Sequence, residues 1–296
     1  MIKDNKQKSY ILLILLAISF LAVGGIFVKM SKLPPIATGF YRMLFAIPLL
    51  TLINKFSKEK ITKKSFSYMF LSGILLGLAL ILWNISFKLT SVANATLLAN
   101  MVPFTIIPIS YFVYNKRFSR NFYFGLVITI GGLIALVLGK GKISGSGFQG
   151  DGLALMTSVF YGLFLFAVSK LRETISSRMI SLISSLGSLC ILFVAMIVIE
   201  GFSYPKNWKE MVPLLDLAVL SHVLGQGLLS YSMGKVEVSI SSVLVLIQPV
   251  IAAIFSFIIF REVLSIQEIL GIIIVIIGVS VSKNSENRKI NIGSIT

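Results

Sequence analysis

Few side chains in this sequence could do chemistry, and the densest group of them lies in the apolar run 212–233. There His222, Gln226 and Ser230 occupy positions i, i+4 and i+8. In an α-helix these positions share one face, which would be costly against lipid, so we expect it to line a solute pathway or a neighbouring helix. His222 is the only histidine of the chain. Because imidazole titrates near neutral pH, it is either a proton carrier or a neutral hydrogen-bonding group between helices.

Two side-chain amides stand beside prolines within apolar runs. Asn100 precedes Pro103 by three residues, and Gln248 immediately precedes Pro249. Proline has no N–H, so it interrupts a helix and frees the carbonyl four residues earlier. Within a membrane such a carbonyl must meet protein, water or a ligand. The amides therefore either bridge helices at a structural kink or line a cavity, where they could bind both the carboxylate and the ammonium group of a zwitterion.

One arginine, one aspartate, one tryptophan and one asparagine complete the set of candidates. Arg42 lies within an apolar run, so it either snorkels and pins a helix end or attracts an anionic group at the mouth of a cavity. Asp216 lies at a comparable depth in another run, and an Arg42–Asp216 ion pair is a hypothesis on that ground. Trp83 lies deeper than an interfacial aromatic anchor usually does, and we expect it and Asn84 in a cavity wall. Arg42, Asp216 and the two prolines are assigned gating or structural roles.

The elements that must position these residues are long apolar segments. The chain is 56% hydrophobic and 13% charged, with a mean hydropathy of +0.94, whereas a soluble domain carries about 25% charged residues. About 20 apolar residues suffice to cross a bilayer as a helix. We therefore predict an all-α integral membrane protein with ten transmembrane helices. Their predicted bounds are Tyr10–Val28, Ile36–Ile53, Tyr68–Phe87, Val92–Tyr114, Phe122–Leu138, Leu153–Val168, Ile180–Ile199, Val212–Met233, Val238–Phe260 and Leu264–Ser282.

The net charge of +16 could indicate a nucleic-acid-binding protein, but the distribution of the charge favours another interpretation. With the N-terminus inside the cell, most Lys and Arg residues fall in the N-terminal segment, the even-numbered connections and the C-terminal tail. That asymmetry follows the positive-inside rule for membrane proteins. We therefore expect a multi-pass protein of the cell (inner) membrane with both termini in the cytoplasm, and no nucleic-acid partner.

Part of the sequence is repeated. Residues 91–138 reappear in altered form as residues 237–284 without a gap. The aligned prolines and glycines are Pro103 with Pro249, Gly125 with Gly271, and Gly132 with Gly278. A repeated membrane segment with proline-broken helices is typical of secondary transporters, whose site lies between the repeats near the middle of the bilayer.

We predict that the two repeats are inverted relative to each other. Ten spans divide into five and five, and an odd number of spans per repeat turns the second repeat upside down. The basic connection around Lys116 aligns with a connection that carries Glu262, which is the loss of basic charge expected on inversion. The predicted boundaries are a first repeat at 1–138, a Gly/Ser-rich linker at 139–150, a second repeat at 151–284 and a cytoplasmic tail at 285–296.

The segment FVKMSKLPPIATGFYRMLFAIPLL, Phe27–Leu50, resembles the junction of the first two helices in EamA-type members of the drug/metabolite transporter superfamily. In that family a Lys ends the first helix, a Pro lies in the loop and an Arg opens the second helix, which Lys29, Pro34 and Arg42 match. The proline-broken spans and the glycines that follow them are also similar, although the Glu after the break is present only as Glu262. The resemblance implies a ten-helix transporter of small metabolites and leaves the substrate open.

The absence of other motifs narrows the function further. The sequence has no ATP-binding loop, no HExxH motif and no second histidine, so we expect neither an ATP-driven pump nor an enzyme. A single cysteine, Cys190, excludes a disulfide framework or a cysteine-based metal cluster, and we expect no cofactor. Phosphate-bearing substrates favour several buried cations, and Arg42 is the only candidate within a span.

The sequence therefore predicts a gradient-driven secondary transporter in the lipid bilayer, working by alternating access as a monomer or homodimer. We expect a small-molecule substrate, an amino acid or related metabolite, and export as the direction. The alternatives are an importer of a vitamin-, nucleoside- or S-adenosylmethionine-like solute and, further from the observed pattern, a membrane enzyme or a channel.

Overall fold

The computed structural model describes residues 2–57, 59–90, 92–139, 147–260 and 264–293. Within these ranges ten helical spans are long and apolar enough to cross a membrane, as predicted. Numbered first to tenth, they comprise Ile2–Met30; Pro35–Asn54; Lys63–Leu89; Val92–Ala99 with Pro103–Tyr114; Arg120–Gly139; Phe148–Leu171; Ser177–Ala195 with Met196–Glu200; Trp208–Asp216 with Leu217–Gln226 and Gly227–Met233; Val238–Val245 with Gln248–Phe260; and Ile266–Gly293.

Several helix ends lie beyond the predicted apolar runs. The fifth and sixth spans were predicted to be short, but their helices continue into polar residues; Asp151 stands in the first turn of the sixth, where a carboxylate stabilises the helix dipole. The predicted linker at 139–150 is therefore shorter, because both of its ends are helical. The tenth helix likewise extends into the segment predicted as a tail. Glu262 lies outside the described residues.

The fourth and ninth spans are broken at equivalent positions, as the prolines predicted. The fourth stops at Ala99 and resumes at Pro103; the ninth stops at Val245 and resumes at Gln248. Ala99 and Val245 are also the residues whose carbonyls the two prolines deprive of a helical N–H donor. The positions of the two prolines in the sequence therefore predicted both breaks correctly.

The seventh and eighth spans contain π-helical segments, which the sequence analysis did not predict. Met196–Glu200 ends the seventh span, and Leu217–Gln226 forms the centre of the eighth. A π-helix bonds each N–H to the carbonyl five residues earlier instead of four, so it has more residues per turn than an α-helix and its side chains are rotated differently around the axis. This change of register decides which polar groups of the eighth span meet.

Glycines allow the fifth and tenth spans to pack backbone against backbone, in the most extensive helix contact of the described structure. A Cβ atom on Gly125 would lie 2.7 Å from the carbonyl oxygen of Gly278, and one on Gly278 would lie 2.7 Å from that of Gly125. Gly132 and Gly271 show the same mutual approach, at 3.0 and 2.8 Å. Residue numbers increase along the fifth span while those of the contacting residues decrease along the tenth, so the two helices are antiparallel. Only glycine permits such an approach.

The other large helix contacts also join the two halves of the chain. The third span packs on the sixth and seventh, the second on the seventh, and the first on the eighth and ninth. Buried side chains of both halves form one continuous apolar core. The interior of the protein is consequently an interface between its halves.

Polar contacts between connections show which of them lie on the same side of the bundle. Among those predicted to be cytoplasmic, Glu59 accepts hydrogen bonds from the backbone N–H and the hydroxyl of Ser176, at 2.8 and 2.5 Å. Lys116 forms an ion pair with Glu237. Each pair joins two connections that follow even-numbered spans. The contacts on this side therefore agree with ten spans that cross the membrane in alternating directions.

The opposite side shows the same consistency. Thr90, after the third span, donates a hydrogen bond to Asp151 at the start of the sixth, at 2.6 Å. The Glu200 carboxylate at the end of the seventh span accepts hydrogen bonds from the backbone N–H groups of Ile36 and Ala37 at the start of the second, at 3.0 and 2.9 Å. All these groups belong to ends predicted to lie outside the cell.

Two neighbouring glycines test the packing of the fifth and tenth spans. A Cβ atom on Gly132 would lie 2.7 Å from the backbone nitrogen of Val275, whereas one on Gly131 meets nothing within 4 Å. We expect Gly132→Ala to destabilise the protein by about 1–3 kcal/mol, because helix backbones must separate. Gly131→Ala should be neutral or slightly stabilising, because alanine favours the helix. Thermal unfolding of the detergent-purified variants measures both, and equal melting temperatures would contradict this packing.

Candidate functional site

A partly open cavity of about 620 Å³, a volume that includes its open mouth, lies between the two halves, near the middle of the spans. Its wall is drawn from the first four spans of one half and from the sixth, eighth and ninth of the other. The lining residues are Leu21, Gly24, Arg42, Leu76, Ala79, Leu80, Trp83, Ala99, Asn100, Thr157, Tyr161, Ser221, Gln226 and Gln248.

The cavity is narrow and mostly apolar in this conformation. Centres of water-sized molecules can reach about 80 Å³ of it, which is room for roughly five to eight water molecules. Leu21, Leu76 and Leu80 supply much of the hydrocarbon surface. A pocket with apolar walls and a few polar groups is the usual form of a small-molecule site.

Arg42 is the only charged residue of this wall. Its side chain is 8% exposed, and its Nε atom has no hydrogen-bond partner among the described residues. Asp216 is half-buried in the eighth span and forms no ion pair with Arg42. The hypothetical pair at matching depth is therefore not formed in this structure; Arg42 faces the cavity instead.

The second span, which carries Arg42, is held by contacts at its N-terminal end. Pro35 occupies the first turn, where its missing N–H costs nothing, and the Glu200 carboxylate caps the N–H groups of Ile36 and Ala37. Asn84 donates a hydrogen bond to the carbonyl oxygen of Pro35 at 3.0 Å. Asn84 therefore anchors the second span from behind the cavity wall, whereas the sequence had suggested that it lines the cavity.

The π-helical register of the eighth span determines its cavity face. Ser221 and Gln226, five residues apart, both line the cavity. His222 does not: its Nε2 atom lies 2.7 Å from the hydroxyl of Ser185 on the seventh span. Ser230 is buried, and its hydroxyl has no partner among the described residues. The face predicted from regular α-helical spacing is thus divided, because the π-helical segment changes the rotation between successive side chains.

Gln226 has a fixed orientation. Its Oε1 atom accepts a hydrogen bond from the Tyr161 hydroxyl at 3.1 Å. Its Nε2 atom is buried and has no partner within the described structure. The amide therefore carries two unused donor hydrogens, while its acceptor is already engaged by the sixth span.

Both helix breaks border the cavity. Asn100, the first residue of the first break, donates a hydrogen bond from its side-chain Nδ2 to the carbonyl of Thr96 at 2.8 Å, which leaves its Oδ1 as an acceptor. Gln248, directly after the second break, is half-buried in the wall. Pro103 and Pro249 are buried beside these amides. Irregular backbone at membrane depth is tolerated where it is buried in protein or lines a cavity, and these breaks satisfy that requirement.

Four of the seven residues that the sequence suggested for substrate binding meet in the cavity wall: Trp83, Asn100, Gln226 and Gln248. Three do not: Asn84, His222 and Ser230. The sequence analysis missed Thr157, Tyr161 and Ser221, because hydroxyl groups are frequent in transmembrane helices and their spacing gave no signal. Among the described residues, no group of three His, Cys, Asp or Glu side chains could hold a metal ion.

Comparison with known proteins adds a family. The family model described as EamA-like transporter family matches residues 8–138 and again residues 148–283. An uncharacterized transporter of Archaeoglobus fulgidus is 26% identical, over 93% of this chain and 98% of that protein. An uncharacterized transporter of Clostridium kluyveri is 21% identical, over 84% of this chain and 81% of that protein. A solved crystal structure shares the fold with a TM-score of 0.79 at 16% identity, covering 95% of this chain and 98% of the other.

Cysteine substitutions at two serines of the eighth span distinguish the π-helical face from the α-helical one. In a Cys190→Ser background, we expect Ser221→Cys to react with a small, water-soluble methanethiosulfonate reagent, because it borders the cavity. Ser230→Cys should remain unmodified, because this residue does not border the cavity. Mass spectrometry of the labelled protein measures the reaction. Modification at 230 without modification at 221 would indicate the α-helical register.

Proposed function

Because the chain belongs to the EamA-like transporter family, we propose that it is a secondary transporter that exports amino acids or related small metabolites by alternating access. The observation that carries the proposal is a cavity at mid-span between the two halves, bordered by two helix breaks and containing a single cationic side chain. Such a site between repeats is the arrangement expected for a carrier that rocks its halves around a bound solute.

We propose further that the halves are inverted repeats related by an approximate two-fold axis in the membrane plane. The glycine contacts support this. Gly125 and Gly132 align in sequence with Gly271 and Gly278, and the contacts join Gly125 to Gly278 and Gly132 to Gly271. Exchanging each residue for its aligned counterpart returns the same two contacts, which is the property of an isologous interface. The match of one family model to both halves points the same way.

The cavity wall supports a small, partly apolar substrate with one anionic group. Leucine and tryptophan side chains suit a hydrocarbon portion, while the amides and the carbonyls freed at the two breaks could accept hydrogen bonds from an ammonium group. One arginine is too little charge for a phosphate-bearing solute. The proposal includes neither catalysis nor a cofactor; a gradient supplies the energy. Because one chain contains both halves, a monomer suffices, and a homodimer is compatible.

The orientation of the protein is proposed from its charges, with both termini in the cytoplasm of a cell whose inner membrane it spans. In a Cys190→Ser background, a cysteine at Lys60 should be protected from an impermeant maleimide in intact cells, and one at Lys206 should react. Both positions are exposed, so the side of the membrane, and not burial, decides the result. Permeabilised cells provide the control, in which both cysteines react. The reverse pattern in intact cells would invert the proposed orientation.

Transport itself is tested in proteoliposomes loaded with unlabelled amino acids, by counterflow of a labelled one. We expect saturable exchange of at least one amino acid and a loss of about tenfold or more for Gln226→Ala, because the cavity loses a fixed polar group. Ser230→Ala should retain the exchange, since that hydroxyl lies outside the cavity. Imposed gradients of pH and Na⁺ identify the coupling ion. Exchange of vitamin- or nucleoside-like solutes without any amino acid would replace the proposed substrate class.

A further inference from the structure

The least explained charge in the described structure is the guanidinium of Arg42. An arginine is protonated at every accessible pH, and a buried charge without a partner costs several kcal/mol. Arg42 is more than nine-tenths buried, yet it forms no hydrogen bond or ion pair with any described side chain or backbone group, and no other lining residue is charged. The Nε donor of Arg42 therefore has no acceptor among the described residues, and the side chain borders the cavity.

A second donor in the same wall lacks an acceptor. The Nε2 atom of Gln226 is buried without a partner, and Gln226 is 4% exposed. The Tyr161 hydroxyl holds the amide by its oxygen, so the NH₂ group remains the free end. Two buried donors, one of them charged, thus border one cavity in which no carboxylate side chain is present.

The helix backbone before Arg42 and the side chain of Gln226 are each held by other contacts. Glu200 and Asn84 fix the start of the second span and so set the position of Arg42, while Tyr161 fixes Gln226. Groups that are held in place by other contacts bind a ligand without an ordering cost.

We infer that Arg42 and the Gln226 amide form a receptor for a carboxylate group, so that the transported solute must carry one. A guanidinium presents a planar fork of N–H donors that matches the two oxygens of a carboxylate, and the bidentate pair is stronger than a neutral hydrogen bond. The neighbouring leucines take the hydrocarbon portion of the solute. This inference rests on the proposed transport function. It assigns the polar side of the central cavity to the carboxylate of the solute.

The test compares carboxylates with amides of the same shape, by thermal stabilisation of the purified protein. Suitable pairs are 4-methylpentanoate with 4-methylpentanamide and leucine with leucinamide, within a panel of short and medium carboxylates each paired with its amide. We expect at least one carboxylate to raise the melting temperature at millimolar concentration while its amide does not. Absence of stabilisation by any carboxylate, or equal stabilisation by the amides, would overturn the inference.

Substitutions assign the effect to the cavity. Arg42→Gln should weaken carboxylate binding about 30-fold or more, the loss expected when one partner of a buried charge pair is removed. Arg42→Lys should bind with intermediate affinity, since it keeps the charge and loses the fork. Arg120→Gln removes an exposed arginine at a helix end and should bind normally. Unchanged binding by Arg42→Gln would refute the assignment, and if that variant fails to fold, the paired ligands on the native protein still decide.

The same ligands distinguish zwitterionic amino acids from simple carboxylates. Preference for leucine over 4-methylpentanoate indicates a zwitterionic amino acid, whereas equal binding indicates that the carboxylate alone is recognised; both support the receptor. Counterflow separates this inference from the proposed function. Exchange of amides at the rate of carboxylates would leave a transporter without a carboxylate receptor, whereas Arg42-dependent binding without exchange of any bound solute would leave the receptor and refute transport.

Discussion

The constraint on which the structure depends is that backbone N–H and C=O groups in a membrane must find partners within the protein. Ten helices satisfy most of them internally. Three irregular segments lie in the interior: the breaks after Ala99 and Val245 lie against the central cavity, and the π-helical segment from Leu217 to Gln226 forms part of its wall. Irregular backbone therefore marks the place where a polar solute can be accommodated.

Close packing of the halves supports that interior. Glycines bring the fifth and tenth spans into backbone contact, and Gly73 on the third span lies so close to Ser184 on the seventh that a Cβ atom would be 2.0 Å from its carbonyl oxygen. Helices gain little from the hydrophobic effect inside lipid, so such van der Waals contact and a few hydrogen bonds must hold them together. The hydroxyl of Ser188, which donates to the carbonyl of Gly73 at 2.7 Å, is one of those bonds.

Polar residues within the spans are of two kinds: some bond neighbouring helices, and others border the cavity. Glu200 and Asn84 cap and anchor the second span, and His222 is hydrogen-bonded to Ser185. Arg42 and Gln226 border the cavity and have buried donors that no described residue accepts from, whereas Asn84 and His222 lie outside the cavity wall. Similar residue types at similar depths thus differ in their contacts: the first group is bonded to other helices, and the second presents donors to the cavity.

The sequence by itself determined the spans, their alternation, both helix breaks and the aligned glycines, because these follow from local apolar length, from the missing N–H of proline and from internal repetition. It also suggested Trp83, Asn100, Gln226 and Gln248 as site residues, and the structure brings these four together in the cavity wall. Only the tertiary structure decided that Asn84, His222 and Ser230 lie outside the cavity wall, that Arg42 has no partner in Asp216, and that Tyr161 orients Gln226. Those facts depend on a π-helical register and on contacts between residues far apart in the chain, and neither is expressed in the local periodicity of a sequence.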